Sequence, residues 1–377
     1  MAFDISNWMD LVQGSKLLSE LSIPGTHGSA ACDPVTTDLI LKRRLTTQST
    51  SILEQLMAGI RFLDIRARYK GDKFELSHET TYLGLDFNEA VDVCQTFLHD
   101  HPEETIIMSL KEESGATDNT ENLTFQGRFE DYVKGYPDGL WYTGDTIPRL
   151  GDVRGKIVLF RRFSIATTEP ATVLGINASN FKDNDTFTIT LPSGVLNQEG
   201  AGGLPRLRIQ DGFLQLSPSE FAGKYTNVEN LLTEAVAPGH TDVLYVNFTS
   251  GAGVVVGLDP EDVAATINPQ VLAYFENEQH RQGRFGIIVM DFETTPLNTL
   301  IAHTNVPLNG GYWIVDENAA VKALGSAATF NAAGRAATEA IAMAATPSRL
   351  GYYLLTLAGK VYAYGDARNA GAGVPAG

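Results

Sequence analysis

Eight short strand-like runs punctuate the first three hundred residues, at 20–23, 60–66, 73–76, 104–110, 156–160, 207–210, 243–248 and 285–290. Several are continuously apolar, such as Ile106-Ile107-Met108, Ile157-Val158-Leu159-Phe160 and Ile287-Ile288-Val289-Met290. A strand without polar alternation is buried on both faces, as in a parallel sheet covered by helices. Helical or looped segments separate the runs. Ser51-Ile52-Leu53-Glu54 and Asp86-Phe87-Asn88-Glu89 read as capping boxes, and the second opens an apolar stripe of Phe87, Ala90, Val91, Cys94, Phe97 and Leu98. The pattern predicts an α/β chain, an irregular (β/α)8 TIM-type barrel. Residues 114–149, rich in Gly, Asp, Asn and Thr, read as a long surface excursion.

From about Asn305 the composition turns to Ala, Gly, Tyr and short aliphatics, and a repeat appears at an offset of forty residues. Gly311-Tyr312-Trp313-Ile314-Val315 matches Gly351-Tyr352-Tyr353-Leu354-Leu355, and Val321, Ala323, Gly325 and Ala327 match Val361, Ala363, Gly365 and Ala367. The period predicts a small C-terminal β-rich appendage of two hairpin units over 305–377, beside a catalytic barrel over 1–304. Two units are too few to close a propeller, so each must bury its apolar face elsewhere. Either the barrel covers it, or the module serves docking or self-association.

Net charge sets limits on partners. At −17 over 377 residues the chain is a poor ligand for nucleic acid and has no general attraction to anionic lipid surfaces. Membrane contact must therefore be local and transient. Residues 37–45 offer one place, with Leu39, Ile40 and Leu41 beside Lys42, Arg43 and Arg44. They form either a shallowly inserting basic segment or a core-packed helix with a solvated basic end. No apolar run reaches membrane-spanning length, and the N-terminus lacks the basic-then-apolar pattern of a signal peptide. The two cysteines, Cys32 and Cys94, show no metal-ligand spacing.

The strand ends carry the chemistry. His27 follows Ser22-Ile23-Pro24-Gly25-Thr26, Asp64 and Arg66 close the second run, and His78 follows the third. Lys111, Arg161 with Arg162, Asp211 and Asp291 follow the fourth, fifth, sixth and eighth. In a closed parallel barrel all of them converge on one mouth. Two imidazoles, a guanidinium and a carboxylate suit phosphodiester cleavage. One imidazole takes a proton from a nucleophilic hydroxyl, the other protonates the leaving oxygen, and arginine holds the developing charge. An aspartate beside the base fixes its tautomer. Taken singly, each residue has a structural alternative, and Asp64 with Arg66 reads equally as a mouth ion pair. Such a concentration of charge costs folding energy unless a ligand uses it.

Phe62-Leu63-Asp64-Ile65-Arg66, Leu76-Ser77-His78, Glu104-Thr105-Ile106-Ile107-Met108-Ser109-Leu110-Lys111 and Gly151-Asp152-Val153-Arg154-Gly155-Lys156, taken with 22–27 and Val289-Met290-Asp291-Phe292, resemble the bacterial phosphatidylinositol-specific phospholipase C family over roughly residues 5–300. The resemblance implies a secreted, irregular barrel that cleaves phosphatidylinositol, or a related lipid, by attack of the inositol 2-hydroxyl on phosphorus. Products are diacylglycerol and cyclic inositol 1,2-phosphate. It implies His27 as general base, His78 as general acid, Arg66 on the phosphate and Asp291 orienting His27. Lys111, Arg162 and Asp211 would bond the inositol hydroxyls, with Phe213 beneath the ring.

One departure is central. The family pattern places an aspartate after the first histidine, as partner of the arginine, where this chain has Gly28. Asp64 or Glu79 is then the expected substitute. Calcium-using relatives need oxygen ligands at these same positions, which here carry Gly28, Asp64 with Arg66, and Lys111. Cations at ligand positions repel calcium, so the expectation is an enzyme without metal or cofactor. Two other readings stand beside this one: a phosphodiesterase acting on glycosyl-inositol or glycerophosphodiester substrates, and a catalytically weak barrel that binds lipid headgroups.

Overall fold

The computed structural model describes residues 3–113, 118–119, 124–165, 175–191, 206–214, 217–253, 258–306, 312–315, 321–324, 340–346, 351–365 and 367. Its first thirteen strands are β1 (Ser22–Thr26), β2 (Phe62–Gly71), β3 (Lys73–His78), β4 (Thr81–Asp86), β5 (Ile106–Glu112), β6 (Asp118–Asn119), β7 (Trp141–Tyr142), β8 (Ile157–Arg162), β9 (Ile176–Asn177), β10 (Thr186–Thr190), β11 (Arg206–Gln210), β12 (Val243–Phe248) and β13 (Gly286–Met290). The helices are α1 (Leu39–Leu45), α2 (Ile52–Met57), α3 (Phe87–Asp100), α4 (Phe125–Gly135), α5 (Leu150–Val153), α6 (Phe221–Val236), α7 (Pro260–Glu276) and α8 (Thr295–His303).

The hydrogen-bonded order is β10-β11-β12-β13-β1-β2-β5-β8-β7. Every neighbouring pair from β11 to β8 is parallel. The first and last barrel strands are therefore neighbours, with β1 between β13 and β2. Continuous apolar runs supply two faces at once. Ile107, Val158, Ile209, Val246 and Val289 fill the interior, while Ile106, Met108, Leu159, Ile288 and Met290 meet the helices outside. The far end of the path is irregular, as β10 pairs antiparallel to β11. Among the described residues no ladder joins β10 to β7 or β9, and side chains bridge that seam instead. The Phe181 ring lies 5.2 Å from Phe187 and 5.9 Å from Phe248, with the Arg162 guanidinium 3.6 Å above it.

Residues 73–76, expected as a barrel strand, belong to β3, which runs antiparallel to β2 and outside the parallel series. The reason is in the pattern. Arg66-Ala67-Arg68-Tyr69-Lys70 and Lys73-Phe74-Glu75-Leu76 alternate polar and apolar, the mark of a half-buried antiparallel pair. Lys70 opposes Lys73 across a two-residue loop in which Gly71 has φ +64°, a conformation that suits a tight hairpin. The ladder carries β3 back until His78 stands level with the mouth end of β2.

Both capping boxes form, at Ser51 with Glu54 and at Asp86 with Glu89, and the whole apolar stripe of α3 is buried. The surface excursion expected over 114–149 is only partly so. Residues 114–117 and 120–123 lie outside the described residues, but α4 follows and buries Phe125 and Phe129. Phe125 stacks on Phe74 at 4.1 Å, so this helix covers the β2–β3 hairpin. Cys32 and Cys94 are free thiols.

The forty-residue repeat is structural where it is described. Strands β14 (Tyr312–Val315) and β15 (Val321–Leu324) pair antiparallel with Tyr312 opposite Leu324, and β17 (Tyr352–Thr356) pairs with β18 (Val361–Tyr364) with Tyr352 opposite Tyr364. The two registers coincide at that offset. A further strand, β16 (Ala340–Ala345), pairs antiparallel with β17. Tyr352, Leu354 and Tyr364 are buried with Trp313, Val315 and Val321 packed on them, so the hairpins cover each other's apolar faces. Gly311, Gly325 and Ala327 lie outside the described residues.

Candidate active site

The parallel strands stop at one end of the barrel, and the chain places its charged groups there. The His27 amide donates to the Met290 carbonyl at 2.9 Å, tying the end of β1 to the end of β13. Gln48 Nε2 donates to both the His27 and Met290 carbonyls, at 2.8 and 2.9 Å. The imidazole is thereby fixed in place before its ring contacts are considered. Its Nδ1 lies 2.7 Å from Asp291 Oδ1, and its Nε2 lies 2.7 Å from Arg66 Nη2. Guanidinium nitrogens only donate, so Nε2 carries the lone pair and Nδ1 the proton. That is the tautomer of a base whose free nitrogen faces the cavity.

Arg66 is held by three acceptors. Beyond His27, its Nε donates to Asp64 Oδ2 at 3.1 Å, and Nη1 stands 3.5 Å from Glu113 Oε1. Burial penalises its charge, but Asp64, Glu113 and Asp211 outweigh that and raise the guanidinium pKa above its ordinary value. Asp64 is fully buried and joins the other elements. Its Oδ1 accepts from Arg162 Nη1 at 3.1 Å and Ser109 Oγ at 3.2 Å, and its Oδ2 also accepts the Gly28 amide at 3.3 Å. Burial pushes the Asp64 carboxyl up, yet Arg66, Arg162 and His27 hold it well below the usual carboxylate range.

His78 is set by a different element. Its Nδ1 donates to the carbonyl of Leu45, the last residue of α1, at 2.9 Å, which leaves Nε2 for the cavity. The two imidazoles stand edge to face with centroids 6.3 Å apart. Burial, then Arg66 and His27, push His78 down to about 3, so it is neutral at pH 7 without a bound anion. Burial raises Asp211 and Asp291, and Lys111 is lowered by burial and by Arg66.

A cavity of about 310 Å³ opens between these groups. His27, Arg66, His78, Glu79, Lys111, Asp211, Phe213 and Asp291 all line it, together with Leu41, Arg44 and Leu45 of α1. Asp64 and Arg162, the remaining two residues singled out in the sequence, stand behind its wall. Arg162, expected on the inositol, is 3% exposed and committed to Asp64 and the Phe181 ring, with Asp183 3.9 Å away. Glu79 sits exposed on the rim at φ +53°, and Arg66 takes Asp64 and Glu113 as its carboxylates instead. Glu113 was not anticipated. Its signal was there in the period of two, which puts it on the same side as Lys111. A wider hollow of about 500 Å³ lies at the opposite end, beside Lys16, Thr241 and Arg284, and holds no histidine.

Helix α1 forms the cavity's outer rim. Asp38 caps it by accepting the Ile40 and Leu41 amides, and Arg43 reaches Asp259 and Asp262 at the start of α7, at 2.7 and 2.9 Å. Leu45 is buried, but Leu39 is 79% and Ile40 63% exposed. The core-packed alternative therefore fails for these two residues. Among the described residues no helix is long and apolar enough to cross a membrane.

Comparison with known proteins agrees with this geometry. The family described as "Phosphatidylinositol-specific phospholipase C, X domain" matches residues 21–163. The 1-phosphatidylinositol phosphodiesterase of Staphylococcus aureus (strain Newman) is 30% identical over 291 residues, 76% of this chain and 88% of that protein. The chain belongs to the phosphatidylinositol-specific phospholipase C family. Its counterpart from Listeria monocytogenes serovar 1/2a is 30% identical over 292 residues, 76% of this chain and 80% of that protein. A solved structure of the S. aureus phospholipase C matches with a TM-score of 0.68 at 28% identity, covering 81% of this chain and 100% of the other. The L. monocytogenes phospholipase C structure gives 0.62 at 27%, covering 80% and 98%.

Within this family member Gly28 is a backbone requirement. Its φ is +51°, and a Cβ there would lie 2.7 Å from Thr47 Oγ1. An aspartate side chain does not fit unless Thr47 moves, and Arg66 already has two carboxylate partners. Both Asp64 oxygens are likewise taken by arginines and amides. Among the described residues no group of three or more His, Cys, Asp or Glu side chains is placed to hold a metal ion.

Proposed function

We propose that the protein cleaves phosphatidylinositol by intramolecular attack of the inositol 2-hydroxyl on phosphorus. The observation that carries this is the Asp291–His27–Arg66 chain facing His78 across one cavity. The phosphate draws Arg66 Nη2 away from His27 Nε2, which uncovers the base. His27 Nε2 takes the 2-hydroxyl proton as that oxygen bonds to phosphorus. The bond from phosphorus to the glycerol oxygen then breaks, and His78 gives that oxygen a proton. Because His78 is neutral in the empty site, it acquires its proton as the anionic phosphodiester offsets Arg66. Arg66, fixed by Asp64 and Glu113, stabilises the charge that develops on the phosphoryl oxygens without reorganising. Lys111, Asp211 and Phe213 are placed to contact the inositol ring, with Arg162 supporting Asp64 from behind. A phosphatidylinositol whose 2-hydroxyl is methylated tests the nucleophile. It should bind and resist cleavage, and turnover at the normal rate would remove the 2-hydroxyl from the mechanism.

Arg66 and Lys111 occupy the space where a calcium ion would stand, so the reaction should run at full rate in excess chelator. A strict calcium requirement would contradict this assignment. The intact pairing of Arg66 despite Gly28 disfavours the headgroup-binding alternative.

Leu39 and Ile40 at the cavity rim fit shallow, transient contact with the lipid surface, with Lys42 and Arg44 near the headgroups. Replacing both by Asn should lower activity on phosphatidylinositol vesicles by about tenfold, since a buried Leu or Ile contributes about 1.5–3 kcal/mol when fully covered. Activity on a soluble short-chain substrate should be unchanged. Equal loss on both substrates would assign these residues to folding.

A further inference from the structure

Lys224, in the first turns of α6, is 2% exposed although its side chain ends in a charge. An ammonium offers three donors and no acceptor, so such burial needs acceptors and a counter-charge around it. Nζ donates to the Phe248 carbonyl at 2.5 Å and stands 3.4 Å from Gln210 Oε1. Both partners are neutral. Gln210 Nε2 donates to the same Phe248 carbonyl at 2.8 Å and to Asn247 Oδ1 at 2.9 Å, while its Oε1 accepts the Gly212 amide at 2.7 Å. One buried network thus fixes the turn after β11, which presents Asp211 and Phe213, and the end of β12, whose Phe248 ring lies 6.2 Å from the His27 ring.

The charges that act on Lys224 are Asp211 beyond β11 and Asp291 beyond β13. Both carboxylates are buried. Asp291 gives Oδ1 to His27, and its Oδ2 is buried without a hydrogen-bond partner among the described residues. Arg162, His27 and Arg66 also act on Asp211, and His27 and Arg66 on Asp291, all from the β1, β2 and β8 side. Lys224 approaches from the other side, under β11 and β12.

We propose that Lys224 is a positioning residue for the phosphodiester cleavage assigned above: its ammonium is the buried counter-cation that keeps Asp211 and Asp291 ionised and locks the Asp211 turn against β12. It touches no substrate. Asp291 sets the tautomer of His27 only as a carboxylate, so loss of Lys224 acts on the base through Asp291.

The pH dependence separates this role from simple packing. Burial pushes Lys224 down to about 8, so its charge is lost at mildly alkaline pH, whereas a guanidinium keeps its charge. Without the cation, burial acts unopposed on Asp211 and Asp291, and their titration moves upward. Lys111 faces the same cavity and is also lowered, but it is common to all the variants compared.

The test is kcat/KM against pH on a soluble short-chain phosphatidylinositol for wild type, Lys224→Arg and Lys224→Met. Lys224→Met should lose at least about tenfold at pH 7, the loss expected when one pKa unit of carboxylate stabilisation is removed, with its acid limb shifted upward. Lys224→Arg should recover most of the activity and extend the alkaline limb. A Lys224→Met profile superimposable on wild type would overturn the proposal. Should that variant not fold, carbon NMR of lysine-labelled wild type decides. One side-chain resonance titrating near pH 8 and missing in Lys224→Arg supports the proposal, and lysines that all titrate above 10 overturn it. No turnover by wild type would instead remove the phosphodiesterase reading and leave the NMR result standing.

Discussion

Replacing His27 by alanine is expected to lower kcat by about 10⁴-fold with KM nearly unchanged, the upper range for removing a general base. The imidazole is the one group whose lone pair faces the cavity while its other nitrogen is fixed by a buried carboxylate. Asp291→Asn should approach the same loss. An amide can donate to Nδ1, which reverses the tautomer and turns Nε2 into a donor. Steady-state rates on a soluble substrate, beside thermal melts showing an intact fold, measure this. A His27→Ala enzyme within tenfold of wild type would refute the assignment.

The second large effect belongs to Asp64. It is fully buried between Arg66 and Arg162, so Asp64→Asn leaves two guanidiniums short of their counter-charge in the barrel mouth. Breaking a buried ion pair by removing one partner costs about 3–5 kcal/mol, and denaturant unfolding should show a loss of that size. Activity should fall further than stability explains, because Arg66 loses the carboxylate that aims it. A stability change under about 1 kcal/mol would show that solvent reaches this pair as it does at a surface.

The pH dependence of stability follows from opposite kinds of group with the same sign. Asp64 has a depressed folded pKa, so its contribution is present above its unfolded value and is lost as pH falls through the folded one. His78 is held neutral down to about 3. Between that value and the ordinary histidine range the unfolded chain binds a proton that the fold does not, so stability falls as pH drops through this window. Urea titrations of His78→Gln should show a shallower fall between about pH 6.5 and 3 than wild type.

Much of the site was legible because a parallel barrel delivers all its strand ends to one place. His27, Arg66, Lys111, Asp211 and Asp291 needed only the continuous apolar runs before them. The β2–β3 hairpin was harder, because Lys73-Phe74-Glu75-Leu76 is strand-like in composition and only its alternation marks it as antiparallel. Helix α4 was hidden by the Gly- and Asp-rich residues before it, although Phe125 and Phe129 have helical spacing. The partners of buried charges were not legible at all. Arg66 takes Asp64 and Glu113 rather than Glu79, Arg162 turns to Asp64 and Phe181 rather than the cavity, and Lys224 finds Phe248 and Gln210. Such choices depend on which side chains a closed barrel brings within about 3 Å, and local sequence does not encode that.

The central claim is the intramolecular attack, and phosphorus NMR of the reaction on phosphatidylinositol in excess chelator reads it directly. The account predicts a five-membered cyclic phosphodiester as the first product, with inositol monophosphate appearing only later. Direct appearance of a phosphate monoester, with no cyclic intermediate at any time, would contradict it.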